Sequence, residues 1–268
     1  MTENEKLPLV ELICKAALSG GKAILSVYES DFAIEHKDDK SPLTEADKQA
    51  HQAIVKELDE TEYPVLSEEG RDIPYEERKN WEYFWMVDPL DGTKEFIKRN
   101  GEFTVNIALI HQQKALMGVI YVPVKDELYI GVNGVGAYKV DAYSTKVNHN
   151  IGELMSTGNQ LPKKIDRKYT IVGSRSHMSA ETEDFMNEKK KEKGEVEIIS
   201  VGSSLKLCMV AEGKADAYPR FAPTMEWDTA AGQAIVEAMG GKVINWKTKS
   251  PMLYNRENLL NDWFLVTA

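Results

Sequence analysis

Two carboxylates and a hydroxyl lie close together near the middle of the chain, at Asp88, Asp91 and Thr93. They follow an apolar run, Tyr83 to Val87, whose aromatic and β-branched residues predict a buried strand. Because Pro89 cannot continue a sheet ladder, we expect the strand to end in a tight loop that carries both acids. Neighbouring carboxylates repel each other unless a cation lies between them, and a hard cation such as Mg²⁺ prefers oxygen ligands.

Two more acids occupy similar places in the pattern. Glu68 follows the strand-like segment Tyr63 to Ser67, and Asp228 directly precedes a small-residue helix predicted over Thr229 to Met239. Each acid also has a simpler explanation: Glu68 could be a loop residue, Asp91 the turn residue before a glycine, and Asp228 a helix cap. The acids indicate a metal site only when all of them are considered together.

The whole chain has the composition of an ordinary globular protein, with 268 residues, 42% of them hydrophobic and 28% charged. A formal net charge of −10 argues against a nucleic-acid polymer as partner, but not against a small phosphorylated substrate bound through metal ions. The two cysteines, Cys14 and Cys208, are predicted to be buried reduced thiols. We expect no transmembrane segment and a cytoplasmic location, with which peripheral attachment to the inner membrane is compatible.

The first half of the chain is predicted to hold two helices followed by a sheet. Apolar residues recur at helical spacing from Leu9 to Tyr28, with a weak point at Gly20-Gly21, and Thr44 to Asp47 resembles a capping box that opens a second helix. Strand-like segments follow the two helices. Because these segments are closely spaced and Asn133-Gly134 is a turn signal, we expect them to form a mostly antiparallel sheet. These segments are Phe103 to Ile110, Ala115 to Val122, Glu127 to Val132 and Gly136 to Val140.

The second half alternates between strand-like and helical segments, which indicates a second sheet between helices. The predicted strands are Tyr169 to Gly173, Val196 to Val201, Ala215 to Tyr218 and Lys242 to Asn245; the predicted helices are Ala180 to Lys193, Ser203 to Ala211 and Thr229 to Met239. Residues 141 to 167 show no clear periodicity. We therefore expect an N-terminal α+β domain over residues 1–160 and a C-terminal α/β domain over residues 161–268.

Three sequence blocks, in a fixed order, carry a resemblance to the inositol monophosphatase superfamily of Mg²⁺-dependent, lithium-sensitive phosphatases. The blocks are Glu68-Glu69, Asp88-Pro89-Leu90-Asp91-Gly92-Thr93 and Trp227-Asp228-Thr229-Ala230-Ala231-Gly232, and the resemblance covers nearly the full length. It implies an α/β (α+β) two-domain sugar-phosphatase fold, a layered αβαβα sandwich whose first sheet is mostly antiparallel.

Within that superfamily the chain is most similar to bacterial 3'(2'),5'-bisphosphate nucleotidases. The similarity is carried by Lys94-Glu95-Phe96 after the Asp-Gly-Thr sequence and by Gly202-Ser203-Ser204-Leu205-Lys206. It implies hydrolysis of adenosine 3',5'-bisphosphate (PAP) to AMP and phosphate in sulfur assimilation, with conversion of PAPS to APS as a second reaction. The alternatives are an inositol monophosphatase or a fructose-1,6-bisphosphatase-like sugar phosphatase. A metal-dependent nucleotide sensor that does not hydrolyse its ligand is less favoured.

The resemblance also implies a role for each site residue. Two Mg²⁺ ions would be held by Glu68, Asp88, the carbonyl of Leu90, Asp91 and Asp228, and a third ion near Asp47 stays open. Asp47 and Thr93 would form a hydrogen-bonded pair that takes the proton of the attacking water, with Glu68 as the further catalytic group. Both residues of the pair are also explained as helix-capping residues, and the two roles can coexist. The substrate would contact Glu68, Gly92, Thr93, Ser176, His177, Lys206, Arg220 and Asp228.

Overall fold

The computed structural model describes residues 1–29, 34–36, 42–146, 150–174 and 179–268. The α-helices of these residues are α1 (Glu3–Tyr28), α2 (Glu45–Leu58), α3 (Tyr75–Arg78), α4 (Thr93–Ile97), α5 (Ile151–Thr157), α6 (Ala180–Lys193), α7 (Leu205–Ala211) and α8 (Ala230–Ala238). The strands are β1 (Ile34–His36), β2 (Pro42–Thr44), β3 (Val65–Ser67), β4 (Tyr83–Asp91), β5 (Thr104–His111), β6 (Lys114–Val122), β7 (Glu127–Val132), β8 (Gly136–Asp141), β9 (Asn159–Leu161), β10 (Tyr169–Ser174), β11 (Val196–Val201), β12 (Ala217–Arg220), β13 (Lys242–Asn245) and β14 (Phe264–Thr267).

The larger sheet contains β3 to β9 side by side in chain order. The pair β3 and β4 is parallel, and every later pair from β4 to β9 is antiparallel. The turn between β7 and β8 contains Gly134, whose φ of 81° lies in the left-handed region that glycine favours. The prediction of a mostly antiparallel first sheet is confirmed.

Both faces of the larger sheet are buried, and side chains alternate between them along β4. Trp85 and Val87 belong to the core formed with α1 and α2, whereas Phe84 and Met86 belong to the core formed with α7 and α8. A strand that is buried on both faces has a nearly continuous apolar sequence, which is why the run before Asp88 contains no polar residue.

The second sheet has the strand order β11-β10-β12-β14-β13. β10 pairs in parallel with β11 and β12, whereas β14 pairs antiparallel with β12 and β13. On the outer face, Phe185 and Met186 of α6 pack against Ile171 of β10 and Ala217 of β12. The layers therefore run α1 and α2, first sheet, α7 and α8, second sheet, α6, which confirms the αβαβα order.

The bulged end of β4 differs from the predicted tight loop. The strand does not end at Val87 but continues to Asp91, with Asp88 opposite Asn106 and Asp91 opposite Thr104 of β5. Three residue steps on β4 therefore oppose two steps on β5, so the strand contains a bulge. Proline is tolerated at bulges, where a ladder hydrogen bond is already lost, so Pro89 bends the strand without ending it.

The glycine pair of α1 is a packing feature and not a weak point, because the helix continues through it without a break. A Cβ atom on Gly20 would lie 2.8 Å from Ile54 Cδ1 of α2, and one on Gly21 would lie 2.4 Å from Tyr121 Cε1 of β6. The missing side chains therefore let α1 approach both α2 and the sheet.

Several short elements lie outside the predicted ones, namely α3, α5, β1, β2, β9 and β14. α5 and β9 lie within residues 141 to 167, and β9 is the last strand of the first sheet. The boundary between residues 160 and 161 stays a prediction. The expectation for the cysteines is confirmed, because Cys14 and Cys208 are buried free thiols. None of the described helices is long and apolar enough to span a membrane.

Gly131→Ala tests how closely α8 must lie on the first sheet. A Cβ atom at Gly131 of β7 would lie 2.3 Å from Ile235 Cα, so the helix would have to move away. We expect the variant to lose about 1–3 kcal/mol of unfolding free energy in urea titrations, the usual cost of overpacking. The control is Gly152→Ala on α5, where a Cβ atom meets only Asn150 Oδ1, at 3.2 Å. Equal stability of the two variants would contradict the close-packing explanation.

Candidate active site

An acidic cleft lies where the bulged end of β4 meets the turn that precedes α8. Its lining residues come from both halves of the chain, and they include every residue predicted to bind metal or to activate water. They are Asp47, Glu68, Glu69, Asp88, Leu90, Asp91, Gly92, Thr93, Lys94, Glu95, Pro223, Thr224, Met225, Asp228 and Leu260. Predicted site residues as far apart as Asp47 and Asp228, 181 positions, are thus brought to one surface, as the metal-site prediction requires.

Asp88 is the most deeply buried of the cleft acids, with 1% of its surface exposed. The bulge turns the backbone so that the Leu90 N–H donates to Asp88 Oδ1 over 3.1 Å. The pKa of Asp88 is nevertheless raised well above its ordinary value, first by burial and then by the nearby charges of Glu68, Asp91, Asp228 and Asp47. The acids of the cleft therefore lie close enough to disfavour one another's ionisation.

Asp228 ends a 3₁₀ turn, Glu226–Asp228, directly before α8. Its Oδ2 accepts a hydrogen bond of 2.9 Å from the Met225 N–H, which holds the carboxylate against its own turn. The N-cap residue of α8 is Thr229, so the alternative explanation of Asp228 as the helix cap is wrong. The pKa of Asp228 is raised by burial and then by the charge of Asp91.

Gly92 and Thr93 connect β4 to the short helix α4. Gly92 is the N-cap residue, with a φ of 99° that a residue with a side chain rarely adopts, and a Cβ atom there would lie 3.2 Å from the Glu102 carbonyl oxygen. Thr93 is the first helical residue and not the cap, so its capping explanation is wrong. Asp47 lies in the first turn of α2 and is buried. Its pairing with Thr93 stays a prediction.

The donor set of the cleft fits a hard cation, because carboxylates and a backbone carbonyl offer oxygen ligands alone. A cation would also relieve the repulsion that raises the pKa of Asp88. Within the described residues, however, no three Asp, Glu, His or Cys side chains already form a closed metal site. The cleft gathers the predicted ligands without arranging them as a coordination sphere, so the ligand assignment stays a prediction.

A second cavity, which we call the basic cavity, shares a wall with the acidic cleft. The shared residues are Asp91, Gly92, Lys94, Glu95, Thr224 and Asp228. The basic cavity adds the predicted substrate residues Lys206 and Arg220, together with Tyr218 and the loop before α7. Ser176 and His177, which were predicted to contact the same substrate, lie outside the described residues.

Lys206 and Arg220 are the buried cations of the basic cavity, and they differ in their partners. Lys206 Nζ donates to the carbonyl oxygens of Val201 and Ser203, and burial lowers its pKa to about 8 although the charge of Asp91 opposes the shift. Arg220 donates through one terminal nitrogen to the Pro223 carbonyl oxygen at 2.7 Å. Its Nε is one of the buried nitrogens that lack a partner within the described part of the chain. Arg220 therefore keeps donor capacity for an anion.

Sequence reasoning missed a polar group between β5 and α7. Ser204 Oγ lies 2.8 Å from Asn106 Oδ1 and 2.7 Å from Thr104 Oγ1. A signal for these residues exists in the sequence, because Thr104 and Asn106 are polar residues two positions apart in an otherwise apolar strand. Polar side chains on one face of a buried strand need partners from another element.

Comparison with known proteins agrees with this fold. The model of the inositol monophosphatase family matches residues 5–265, and the chain belongs to that family. It is 45% identical over 264 residues to the 3'(2'),5'-bisphosphate nucleotidase CysQ of Salmonella typhimurium, covering 97% of this chain and 99% of the relative. The Escherichia coli K12 protein of the same name is 43% identical over 265 residues, with coverage of 97% and 99%.

A solved structure extends the agreement to three dimensions. The crystal structure of CysQ from Bacteroides thetaiotaomicron, a bacterial member of the same family, superposes with a TM-score of 0.90 at 50% identity. The match covers 98% of this chain and 97% of the other. An inositol monophosphatase from Anabaena, at 23% identity and a TM-score of 0.69 with 97% and 90% coverage, shares the fold. The predicted fold and family are confirmed.

Asp88→Asn tests the repulsion in the acidic cleft through the pH dependence of stability. A folded-state pKa above the unfolded value, about 3.9 for an aspartate, means that the folded protein loses stability as the pH rises from the unfolded towards the folded pKa. Asn cannot ionise, so the variant does not lose stability in this way. With a chelator present, the unfolding free energy of the variant minus that of the unsubstituted protein should therefore increase from pH 4 to neutral pH.

Urea unfolding at a series of pH values provides this measurement. Asp59→Asn, at an exposed position after α2, is the matched control. Its difference in unfolding free energy from the unsubstituted protein should not change with pH. A difference for Asp88→Asn that is also independent of pH would contradict the repulsion between the buried acids.

Proposed function

We propose that the protein is a Mg²⁺-dependent 3'(2'),5'-bisphosphate nucleotidase that hydrolyses PAP to AMP and phosphate, with PAPS as a second substrate, in sulfur assimilation. The observation that carries the proposal is the shared wall between the acidic cleft and the basic cavity, at Asp91 and Gly92. A substrate with two phosphates needs one subsite for the phosphate that is cleaved and another for the phosphate that is kept. The name shared by the relatives of 43–45% identity supports the same substrate.

The acidic cleft would bind the phosphate that is cleaved. Its ligands for two Mg²⁺ ions would be Glu68, Asp88, the Leu90 carbonyl, Asp91 and Asp228, with Asp47 beside a third. When bound, Mg²⁺ lowers the pKa of a coordinated water and stabilises negative charge on the phosphate and on the leaving oxygen. The ligand side chains would fix the positions of the ions, because backbone hydrogen bonds in β4 and in the turn before α8 hold Asp88 and Asp228.

Thr93 and Asp47 would handle the proton of the attacking water. Both line the acidic cleft, and Asp47 is buried at the start of α2. Its carboxylate would accept the proton through the Thr93 hydroxyl. The N–H groups of Gly92 and Thr93 precede the first intrahelical bond of α4, from the Phe96 N–H to the Gly92 carbonyl oxygen. They lack an intrahelical acceptor and would donate to the phosphate oxygens.

The basic cavity would hold the phosphate that is kept. Arg220, with its unpartnered Nε, is the direct contact that we assign, because a guanidinium donates well to phosphate oxygens. Lys206 would add positive charge close to the Ser203 loop that it supports. Ser176 and His177 remain proposed contacts on the basis of the family resemblance.

Rates of phosphate release from a substrate panel test the proposal. The panel contains PAP, PAPS, inositol 1-phosphate and fructose 1,6-bisphosphate, each measured with Mg²⁺ and with added Li⁺. We expect the highest kcat/KM for PAP and inhibition by Li⁺. Comparable or faster turnover of inositol 1-phosphate would overturn the nucleotidase assignment. Mg²⁺-dependent binding of PAP without any phosphate release would favour the sensor alternative.

Asp91→Asn tests the proposed ligand at the shared wall. Removal of one ligand charge should lower kcat by about 10²-fold or more, the scale seen when a group that stabilises the transition state is lost. The fold should stay intact, because the burial-raised pKa of Asp91 shows that its charge is disfavoured there. Phosphate release and a thermal melt of the same preparation provide the two measurements. Near-normal activity at ordinary Mg²⁺ would refute the ligand role.

Arg220→Ala and Lys206→Ala test the subsite for the second phosphate. Each variant should raise the KM for PAP by about 10-fold or more, since a charge-assisted hydrogen bond contributes about 1.5–3 kcal/mol, while kcat changes less. The KM for 3'-AMP, which lacks the 5'-phosphate, should change much less. Arg71→Ala, which removes an exposed arginine paired with Glu77, is the control. Unchanged kinetics in both variants would remove the two residues from the subsite.

A further inference from the structure

Residues 255–261, which lie between β13 and β14, contact the turn that carries Asp228, and we call them the clamp segment. They contain neither helix nor strand, apart from a single bridge between Leu260 and Met225. Leu260, Met225 and Asp228 all line the acidic cleft. Because the clamp segment belongs to no helix or sheet, its position depends on hydrogen bonds to other elements.

Glu226, the first residue of the turn, accepts three of these hydrogen bonds. Its carboxylate accepts from the N–H groups of Asn255 at 2.5 Å and Arg256 at 3.1 Å, and from Arg256 Nε at 3.0 Å. Its own N–H donates to the Leu259 carbonyl oxygen at 2.9 Å. Glu226 is 0% exposed, and a buried carboxylate without donors would be strongly destabilising. The turn can therefore hold Glu226 in the interior only while the clamp segment is in contact with it.

Arg256 and Asn261 continue the contact to both sides of the turn. Arg256 donates through a terminal nitrogen to Asn261 Oδ1 at 3.2 Å. The Asn261 amide nitrogen donates to the Met225 carbonyl oxygen at 2.7 Å and to Thr229 Oγ1 at 3.0 Å. Met225 directly precedes the turn, and Thr229 directly follows it. The hydrogen bonds of the clamp segment thus reach the first residue of the turn and the residues on both sides of it.

The Asp228 carboxylate is held by the same turn, because its Oδ2 accepts from the Met225 N–H at 2.9 Å. We propose that Glu226 is a positioning residue, which acts with Arg256 and Asn261 to fix the turn and so orients Asp228 to bind Mg²⁺. The inference rests on the proposed function in one respect, the binding of Mg²⁺ at Asp228. Glu226 is not one of the described residues that line the acidic cleft, so it acts through the turn and not by contact with the ion. Outer partners of this kind commonly set metal affinity by holding a ligand in one orientation.

Calorimetric titration of the full-length variants with Mg²⁺ in the absence of substrate tests the proposal. Glu226→Gln keeps the side-chain shape but places an amide NH₂ group against donors, so it should loosen the clamp segment and weaken Mg²⁺ binding by about 10–100-fold. Asn261→Ala removes the hydrogen bonds to Met225 and Thr229 but leaves the Glu226 carboxylate in place, and it should weaken binding by about 10-fold. If thermal melts show that Glu226→Gln does not fold, the result for Asn261→Ala decides the question.

Glu212→Gln is the matched control, because it alters another buried carboxylate. Glu212 is 3% exposed and accepts a hydrogen bond of 2.6 Å from the Tyr129 hydroxyl. Neither Glu212 nor Tyr129 is among the described residues that line the acidic cleft. The control should lower the melting temperature as Glu226→Gln does, but its Kd for Mg²⁺ should stay within about twofold of the unsubstituted value, since distant sites act independently. If the control weakens Mg²⁺ binding as much as Glu226→Gln does, lost stability explains the effect and the positioning role is wrong.

Two outcomes separate this inference from the proposed function. If the folded variants at Glu226 and Asn261 bind Mg²⁺ within about twofold of the unsubstituted protein, the inference is wrong even when PAP is hydrolysed. If they bind Mg²⁺ more weakly but the unsubstituted protein releases no phosphate from PAP, the inference stands and the nucleotidase proposal fails.

Kinetics give a second readout. The Mg²⁺ concentration for half-maximal rate should rise in the variants at Glu226 and Asn261, while the KM for PAP at saturating Mg²⁺ should stay within about twofold. A higher KM with an unchanged Mg²⁺ requirement would overturn the positioning role.

Discussion

Repulsion among buried carboxylates is the interaction on which the arrangement of this protein depends. Asp88 and Asp228 have pKa values raised well above the ordinary range, because burial and neighbouring charges both disfavour their ionised forms. Carboxylates that could rotate freely would turn away from one another, so hydrogen bonds from the backbone have to hold them in place. The Leu90 and Met225 N–H groups do this for Asp88 and Asp228.

The layers supply the rigidity that such a site needs. The larger sheet is buried on both faces, and α8, which begins directly after the turn that carries Asp228, lies on it at close range. Gly118 and Gly131 make that approach possible, because a Cβ atom at Gly118 would lie 2.7 Å from Ala231 Cα. The position of Asp228 relative to β4 is thus set by helix-to-sheet packing and not by a flexible loop.

Much of the fold could be predicted because its elements are long and periodic. The alternation in the second half identified α6, β11 and β13 to the residue, and short spacing identified the antiparallel sheet. β14, at Phe264–Thr267, was not predicted, and the bulge was missed because Pro89 is locally typical of a strand end. Only the pairing with the neighbouring strand β5, which continues as far as Asp91, shows that β4 extends beyond Pro89.

The residues of the candidate site could be predicted where they belong to motifs that follow one another in a known order. Contacts between residues far apart in the sequence could not be predicted. The acids were identified from their motifs, and the structure brings them to one cleft. The contact between Asn106 and Ser204 could not be predicted, because no local signal links two residues 98 positions apart. Nor could local sequence show that Lys206 would be buried beneath the loop carbonyls of Val201 and Ser203.

The most direct test of the central claim, that the buried acids are gathered to bind metal, is a crystal structure of the protein grown with Mn²⁺ as an anomalous substitute for Mg²⁺. We expect anomalous peaks in the acidic cleft within about 2 Å of carboxylate oxygens of Asp88, Asp91 and Asp228. A fully ordered cleft without such peaks, or peaks confined to other surfaces, would contradict it.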